Sequence, residues 1–226
     1  MPHRAVCSRQ RPRAYVPAPV SPREASERAL EWACVARGPA GWPLVGLLVP
    51  DLGTRDRARH LRQAQSKGAI IGSAQEPGDL AQWAGPLVVY WPTLATLAVA
   101  ETMAATRTVV VALNNDTLRP WVDAFDPECL AGAPMPPTPV VLPVPLVRRA
   151  MVYYTHRFQR EPAVPESVWR MLLRRLEHLY HHGEHFTAES LLALAWQLHW
   201  PPDTAWELYQ WATQSLPQAD LPHPAP

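Results

Sequence analysis

The sequence predicts an α/β protein: a small Rossmann-like parallel sheet of four to five strands with flanking helices, followed by a C-terminal helical subdomain. Three observations carry that expectation. The passage Val45-Gly46-Leu47-Leu48-Val49-Pro50-Asp51-Leu52-Gly53-Thr54 recurs as Leu87-Val88-Val89-Tyr90-Trp91-Pro92-Thr93-Leu94-Ala95-Thr96. Each copy is a short apolar run, then Pro, then a Thr able to cap a helix, the strand-to-helix unit of a parallel sheet. The apolar runs are continuous rather than alternating, as in strands buried on both faces. From about residue 145 the apolar residues switch to a 3.6-residue period.

Residues 1–20 read as a disordered, basic, Pro-rich arm: Arg4, Arg9, Arg11 and Arg13 stand among Pro12, Pro17 and Pro19 with no apolar period. The α/β domain is expected over 21–131. Ser21-Pro22-Arg23-Glu24 is a capping box with Pro at the first helical position, and Ala25, Ala29, Trp32, Ala33 and Ala36 follow at helical spacing until Gly38. A strand near 44–49 leads to a helix over 54–67 that stops at Gly68. Ala58, Leu61 and Ala64 are nearly all that helix has to bury, which places it on the outside of the sheet. Ala58 and Leu61 stand at the same offset in their repeat as Ala100 and Met103 in the other. Further strands are expected near 69–72, 87–91 and 108–113. A brief helix capped by Asp79 precedes the third strand, and Asn114-Asn115-Asp116 opens a helix through Trp121 and Phe125. Right-handed crossovers turn such a series into a doubly wound layer.

The stretch 132–145, beginning Gly132-Ala133-Pro134-Met135-Pro136-Pro137-Thr138-Pro139, reads as a stiff linker, with Val140-Val141-Leu142 as a candidate edge strand. The helical subdomain occupies 146–216. Leu146, Ala150, Tyr153, Tyr154 and Phe158 form the stripe of its first helix, and Trp169, Leu172, Leu173, Leu176, Leu179 and Tyr180 that of its second. Thr187 caps a third helix, and Trp200-Pro201-Pro202-Asp203 turns into a fourth. Four prolines in the last ten residues mark 217–226 as a disordered tail.

Composition bounds the function classes. The chain has 226 residues, a formal net charge of +1, 47% apolar and 18% charged residues, so no global charge draws it to nucleic acid or to an anionic membrane. No apolar run approaches the length of a bilayer span, and Met1-Pro2-His3-Arg4 opens no secretory leader. Cys7, Cys34 and Cys129 have neither metal-ligand nor redox spacing, which fits free thiols in a reducing cytosol. A cytoplasmic protein is the expectation.

Ligands of parallel sheets bind beyond the carboxyl ends of the strands. The residues there are Asp51 and Thr54, Ser73 and Gln75, Thr93 and Thr96, and Asn114, Asn115 and Asp116. Helix-start amides beside them would suit a small anion or nucleotide. No Gly-rich phosphate loop accompanies them, Pro50 and Pro92 remove backbone donors, and helix capping alone requires the same residue types. His178 and His182 have chelating spacing within His178, His181, His182, Glu184 and His185, but no third ligand is defined and Gly183 ends the helix there. No metal or other cofactor is expected. Arg148, Arg149, Arg157, Arg160, Arg170, Arg174 and Arg175, near Tyr153, Tyr154 and His156, form a candidate phosphate-contacting patch. The helix from Asp203 to Gln214 has helix-turn-helix proportions relative to its predecessor, yet holds no Lys or Arg for base or phosphate. Trp196, Trp200, Trp206 and Trp211 are either a core or, if Trp196 or Trp211 faces outward, a contact surface.

No catalytic motif is present, Gly-x-Ser-x-Gly included. The leading expectation is a non-catalytic binding or adaptor protein with a protein partner. One alternative is nucleic-acid association through the Arg-rich arm and helices. The other is a small-anion or nucleotide enzyme or sensor at the strand-end loops.

Overall fold

A computed structural model of the chain describes residues 11–17, 20–35, 45–66, 68–103, 108–112, 118–131, 144–158 and 165–216. The chain divides into two compact units, Met1–Pro136 and Pro137–Pro226. The first unit holds β1 (Arg13–Tyr15), α1 (Pro22–Val35), β2 (Gly46–Val49), α2 (Leu52–Arg57), α3 (Arg59–Ser66) and β3 (Ile70–Ser73). A 3-10 turn at Gly78–Gln82 follows, then β4 (Pro86–Tyr90), α4 (Leu94–Thr102), β5 (Thr108–Ala112), α5 (Arg119–Phe125) and β6 (Glu128–Cys129).

The strands form one sheet in the order β3-β2-β4-β5-β1-β6, and every pairing is parallel. The two repeat copies lie side by side, with Gly46, Leu47 and Leu48 opposite Leu87, Val88 and Val89. Parallel neighbours need helical crossovers, and the strand pleat sends alternate residues to opposite faces. Ala14, Leu47, Val49, Val88 and Tyr90 pack on one face with Ala25, Ala29 and Ala33 of α1 and Leu61 of α3. On the other face Gly46 faces the Trp83 indole and Leu80, so closely that a Cβ would come within 2.8 Å of Trp83. Helix α4 lies against β4 and β2.

Several expectations are corrected. The sheet has six strands rather than four to five, because β1 and β6 are too short to show as apolar runs. Residues 13–15, assigned to a disordered arm at 1–20, are buried and paired on both sides, with β5 and with β6. Residues 1–10 lie outside the described ones. The single helix over 54–67 is two, α2 and α3, parted at Ala58. It starts at Leu52 because Asp51 caps it instead of Thr54. The last helix of the unit begins at Arg119. Asn114, Asn115, Asp116 and the candidate edge strand Val140-Val141-Leu142 lie outside the described residues.

The second unit is helical: α6 (Pro145–Phe158), α7 (Glu166–His181), α8 (Ala188–Gln197) and α9 (Pro202–Ser215). Every residue of α8 from Ser190 to Trp196 is buried, which makes it the axis of the unit. Thr187 caps α8 in a box with Ser190. Both α7 and α8 end in Schellman turns. In α7 the amide of Glu184 donates to Leu179 and that of Gly183, at φ 89°, to Tyr180; in α8 Trp200 donates to Ala195 and His199 to Trp196. The Trp200 indole then donates to Thr155 Oγ1 at 2.7 Å, tying that turn to α6.

Candidate functional site

The register levels the carboxyl ends of β3, β2 and β4 at Ser73, Val49 and Tyr90. This is the rim where the strand order reverses, the usual ligand edge of an open α/β sheet. The hydroxyls and carboxylate there are occupied locally. Asp51 Oδ1 accepts from the Thr54 amide at 2.8 Å, and Thr54 Oγ1 donates to Asp51 Oδ2 at 2.7 Å. Thr93 and Thr96 form a reciprocal capping box at the start of α4. Buried Ser73 accepts from the Glu76 amide at 3.0 Å, and Gln75 is exposed. Asp51, Thr54, Ser73, Thr93 and Thr96 therefore come together at one rim, each serving a cap or turn.

The repeat explains the one irregularity of this rim. By sequence Asp51 matches Thr93 and Thr54 matches Thr96, and both pairs build the same cap. The sheet register differs from that alignment by one residue, since Val49 ends level with Tyr90 rather than Trp91. Trp91 absorbs the extra residue at φ 44°, a left-handed conformation rare for a bulky side chain. Its ring still packs on the α1 face and lies 5.8 Å from the Tyr90 ring. Burial pushes the Tyr90 phenol above its ordinary range, against a hydrogen bond with Ser26, so it stays protonated at neutral pH and offers no base.

On the opposite side of β1 stands a buried ionic cluster that includes Arg11 and Arg13, two residues expected in the disordered arm. Glu101 of α4 accepts from Arg13 through both oxygens, Nε at 3.2 Å and Nη2 at 3.0 Å, and is also ion-paired with Arg11. The Trp121 indole donates to Glu101 Oε1 at 2.9 Å, and the Arg13 guanidinium lies 4.0 Å over the Phe125 ring. Two guanidiniums face one carboxylate. The remaining charge meets the carboxyl end of α4, where Arg11 donates to the carbonyls of Ala100, Glu101 and Met103. Burial alone would raise the Glu101 carboxyl; the charges of Arg11 and Arg13, with the Arg13 and Trp121 hydrogen bonds, outweigh it and hold the carboxyl below its usual range. The cluster is a structural tie. Its signal in the sequence was one Glu inside the apolar helix Leu94-Ala95-Thr96-Leu97-Ala98-Val99-Ala100-Glu101.

In the helical unit the His178 and His182 ring centroids lie 3.9 Å apart, tilted at 39°, and His182 Nδ1 lies 2.8 Å from the His178 carbonyl, so that nitrogen serves the helix end. Among the described residues no group of three or more His, Cys, Asp or Glu could hold a metal ion. Trp196 and Trp200 are buried, while Trp206 and Trp211 are half-buried; Trp206 stacks on Tyr209 at 4.8 Å. The outward-facing apolar side chains lie elsewhere. The inward stripe of α6 is Val147, Met151 and Tyr154, which corrects the expected stripe of Leu146, Ala150, Tyr153, Tyr154 and Phe158: of these Tyr154 is buried, while Leu146 and Tyr153 are exposed. Leu146 (44% exposed) and Tyr153 (54%) point out from α6, and Met171 (47%) from α7. Arg148, Arg149, Arg174 and Arg175 are exposed on the same two helices, as is Arg170, which pairs with Glu166. The side chain of Arg157 and all of Arg160 lie outside the described residues. Among the described residues no helix is long and apolar enough to cross a membrane. Comparisons of the chain with protein-family models, with curated proteins and with solved structures find no match.

Proposed function

We propose that the protein is a non-catalytic binding or adaptor module whose contact surface is the outward face of α6 and α7. One observation carries this reading: three of the four large apolar side chains most exposed among the described residues, Leu146, Tyr153 and Met171, sit on these two helices beside exposed arginines. Tyr, Met and Arg are the residue types enriched at protein contact surfaces. Of the Trp cluster, Trp196 and Trp200 belong to the core, while Trp206 and Trp211 are half-buried. The small-ligand reading loses support, because the rim hydroxyls already serve caps. The doubly wound, Rossmann-like reading of the sheet rests on the order reversal at β2 and β4 and carries no function by itself. Nucleic-acid association through Arg148, Arg149, Arg170 and Arg174 stays as the second reading, without Arg11 and Arg13, which are buried in the Glu101 cluster.

A photo-crosslinking amino acid in place of Tyr153, compared with the same group at exposed Glu31 on α1, tests the contact surface in cells. The expected result is a discrete protein adduct at position 153 and none at 31. Equal, diffuse labelling at both positions overturns the reading.

A further inference from the structure

The α6–α7 face has a counterpart within its own unit. Helices α6 and α7 carry six arginines, Arg148, Arg149, Arg157, Arg170, Arg174 and Arg175, against two glutamates, Glu166 and Glu177. Beyond Arg175 the chain contains no Lys or Arg at all, while α8 and α9 carry Glu189, Asp203 and Glu207. All three of these acids are exposed. Asp203 and Glu207 are one turn apart on α9, and half-buried Trp206 lies between them in sequence, stacked on Tyr209. Helices α6 and α7 thus expose arginines together with Tyr, Leu and Met, and α8 and α9 expose acids beside a partly open Trp.

We propose that the occupant of the α6–α7 face is the α8–α9 face of a second copy of this chain. The inference rests on the binding-module reading and names its partner. Charge complementarity selects the occupant: exposed Arg149 and Arg174 would meet Asp203 and Glu207, and Tyr153 and Met171 would meet Trp206. A basic face alone would suit nucleic acid equally. Leu146, Tyr153 and Met171 interleave apolar surface with the arginines, and Glu166 and Glu177 interrupt the basic run, which suits a protein surface better than a phosphate backbone. Because the two faces differ, each copy offers one of each. Association is then either reciprocal between two copies or head-to-tail along a chain of them.

The decisive experiment uses sedimentation velocity on the intact chain and two double variants. One variant, Arg149→Glu with Arg174→Glu, reverses the basic face; the other, Asp203→Arg with Glu207→Arg, reverses the acidic face. All four side chains are exposed, and circular dichroism checks that the helices persist. The wild-type chain should self-associate with rising concentration. It should dissociate as salt rises from about 0.1 M to about 1 M, where the screening length falls from roughly 10 Å to roughly 3 Å. Each variant alone should associate at least about tenfold more weakly, since like charges then face each other. Mixed, the two should restore a complex, because each retains the face the other needs. A wild-type chain that stays monomeric overturns the proposal, as does a mixture that remains monomeric. A wild-type chain that stays monomeric and binds a single-stranded oligonucleotide through Arg149 and Arg174 overturns it in favour of nucleic acid. If the chain is monomeric yet position 153 crosslinks to another protein, this inference falls and the binding reading stands; if it is monomeric and crosslinks nothing, both fall.

Discussion

Glu101 is a buried carboxylate on α4 that holds Arg13 of β1 and Trp121 of α5 at once. Its side chain is 1% exposed and answers two guanidiniums that are themselves 9% and 4% exposed. Magnitude separates it from the surface pairs. Arg28–Glu24 on α1 is 43% and 49% exposed, and such pairs contribute about 0–1 kcal/mol after screening and side-chain ordering. Removing one partner of a buried pair leaves an uncompensated charge and costs about 3–5 kcal/mol. Glu101→Gln should therefore lower the unfolding free energy by about 3–5 kcal/mol in denaturant titration, where Glu24→Gln changes it by less than about 1 kcal/mol. The pH dependence has a definite sign. The folded carboxyl titrates below its ordinary value near 4.5, so its stabilisation is complete above that value and is lost as pH falls through the folded value. The Gln variant should lack that part of the acid-side slope. An equal acid slope in both proteins would show that Glu101 is not held low.

At the level of elements, the same cluster makes β1 a keystone. The strand has three residues, yet β5 pairs with one of its edges and β6 with the other. Strand β6 has no other pairing partner among the described residues. Ala14 is fully buried and sits opposite both Val110 and Glu128. Proline there removes a ladder donor in a strand interior, so Ala14→Pro should destabilise the first unit and expose β5 and β6 together to amide exchange. Exchange confined to β1 itself would contradict the keystone role. This strand also marks where the sequence stopped being readable. Strands β2 to β5 were legible because Leu47-Leu48-Val49, Ile70-Ile71, Leu87-Val88-Val89 and Val109-Val110-Val111 are continuous apolar runs, which only a doubly covered sheet requires. Arg13-Ala14-Tyr15 has no such run, and an Arg between prolines reads as solvated until a carboxylate from a residue 88 positions away is brought to it. The repeat was legible down to its caps, but not in its register. Trp91 adds one residue ahead of Pro92, and only the left-handed turn at φ 44° reveals where it goes. In α6 the expected stripe through Leu146 and Tyr153 is wrong by one residue: Val147 and Tyr154 form an equally apolar stripe beside it, and it is that one which packs inward.

Across the whole molecule, a net charge of +1 and an isoelectric point near 7.9 conceal a segregated chain. All twenty arginines and the single lysine lie at or before Arg175, and the remaining residues hold only acids and neutral groups. Near its isoelectric point such a chain has little net repulsion to keep copies apart, while its opposite patches still attract. The two forces available for association respond to salt with opposite signs. Attraction between the basic and acidic faces weakens as the screening length shrinks from roughly 10 Å at about 0.1 M to roughly 3 Å at about 1 M. Contact made only through Leu146, Tyr153 and Met171 would tighten in an excluded salt such as sulfate. Static light scattering near pH 7.9 therefore distinguishes them: the apparent mass should be highest at low ionic strength and fall as sodium chloride is added. In the Arg149→Glu, Arg174→Glu chain that fall should flatten, because the patch that salt screens has been removed. An apparent mass that rises with salt would assign the contact to apolar surface, and an equal fall in both proteins would show that the screened charges are not Arg149 and Arg174.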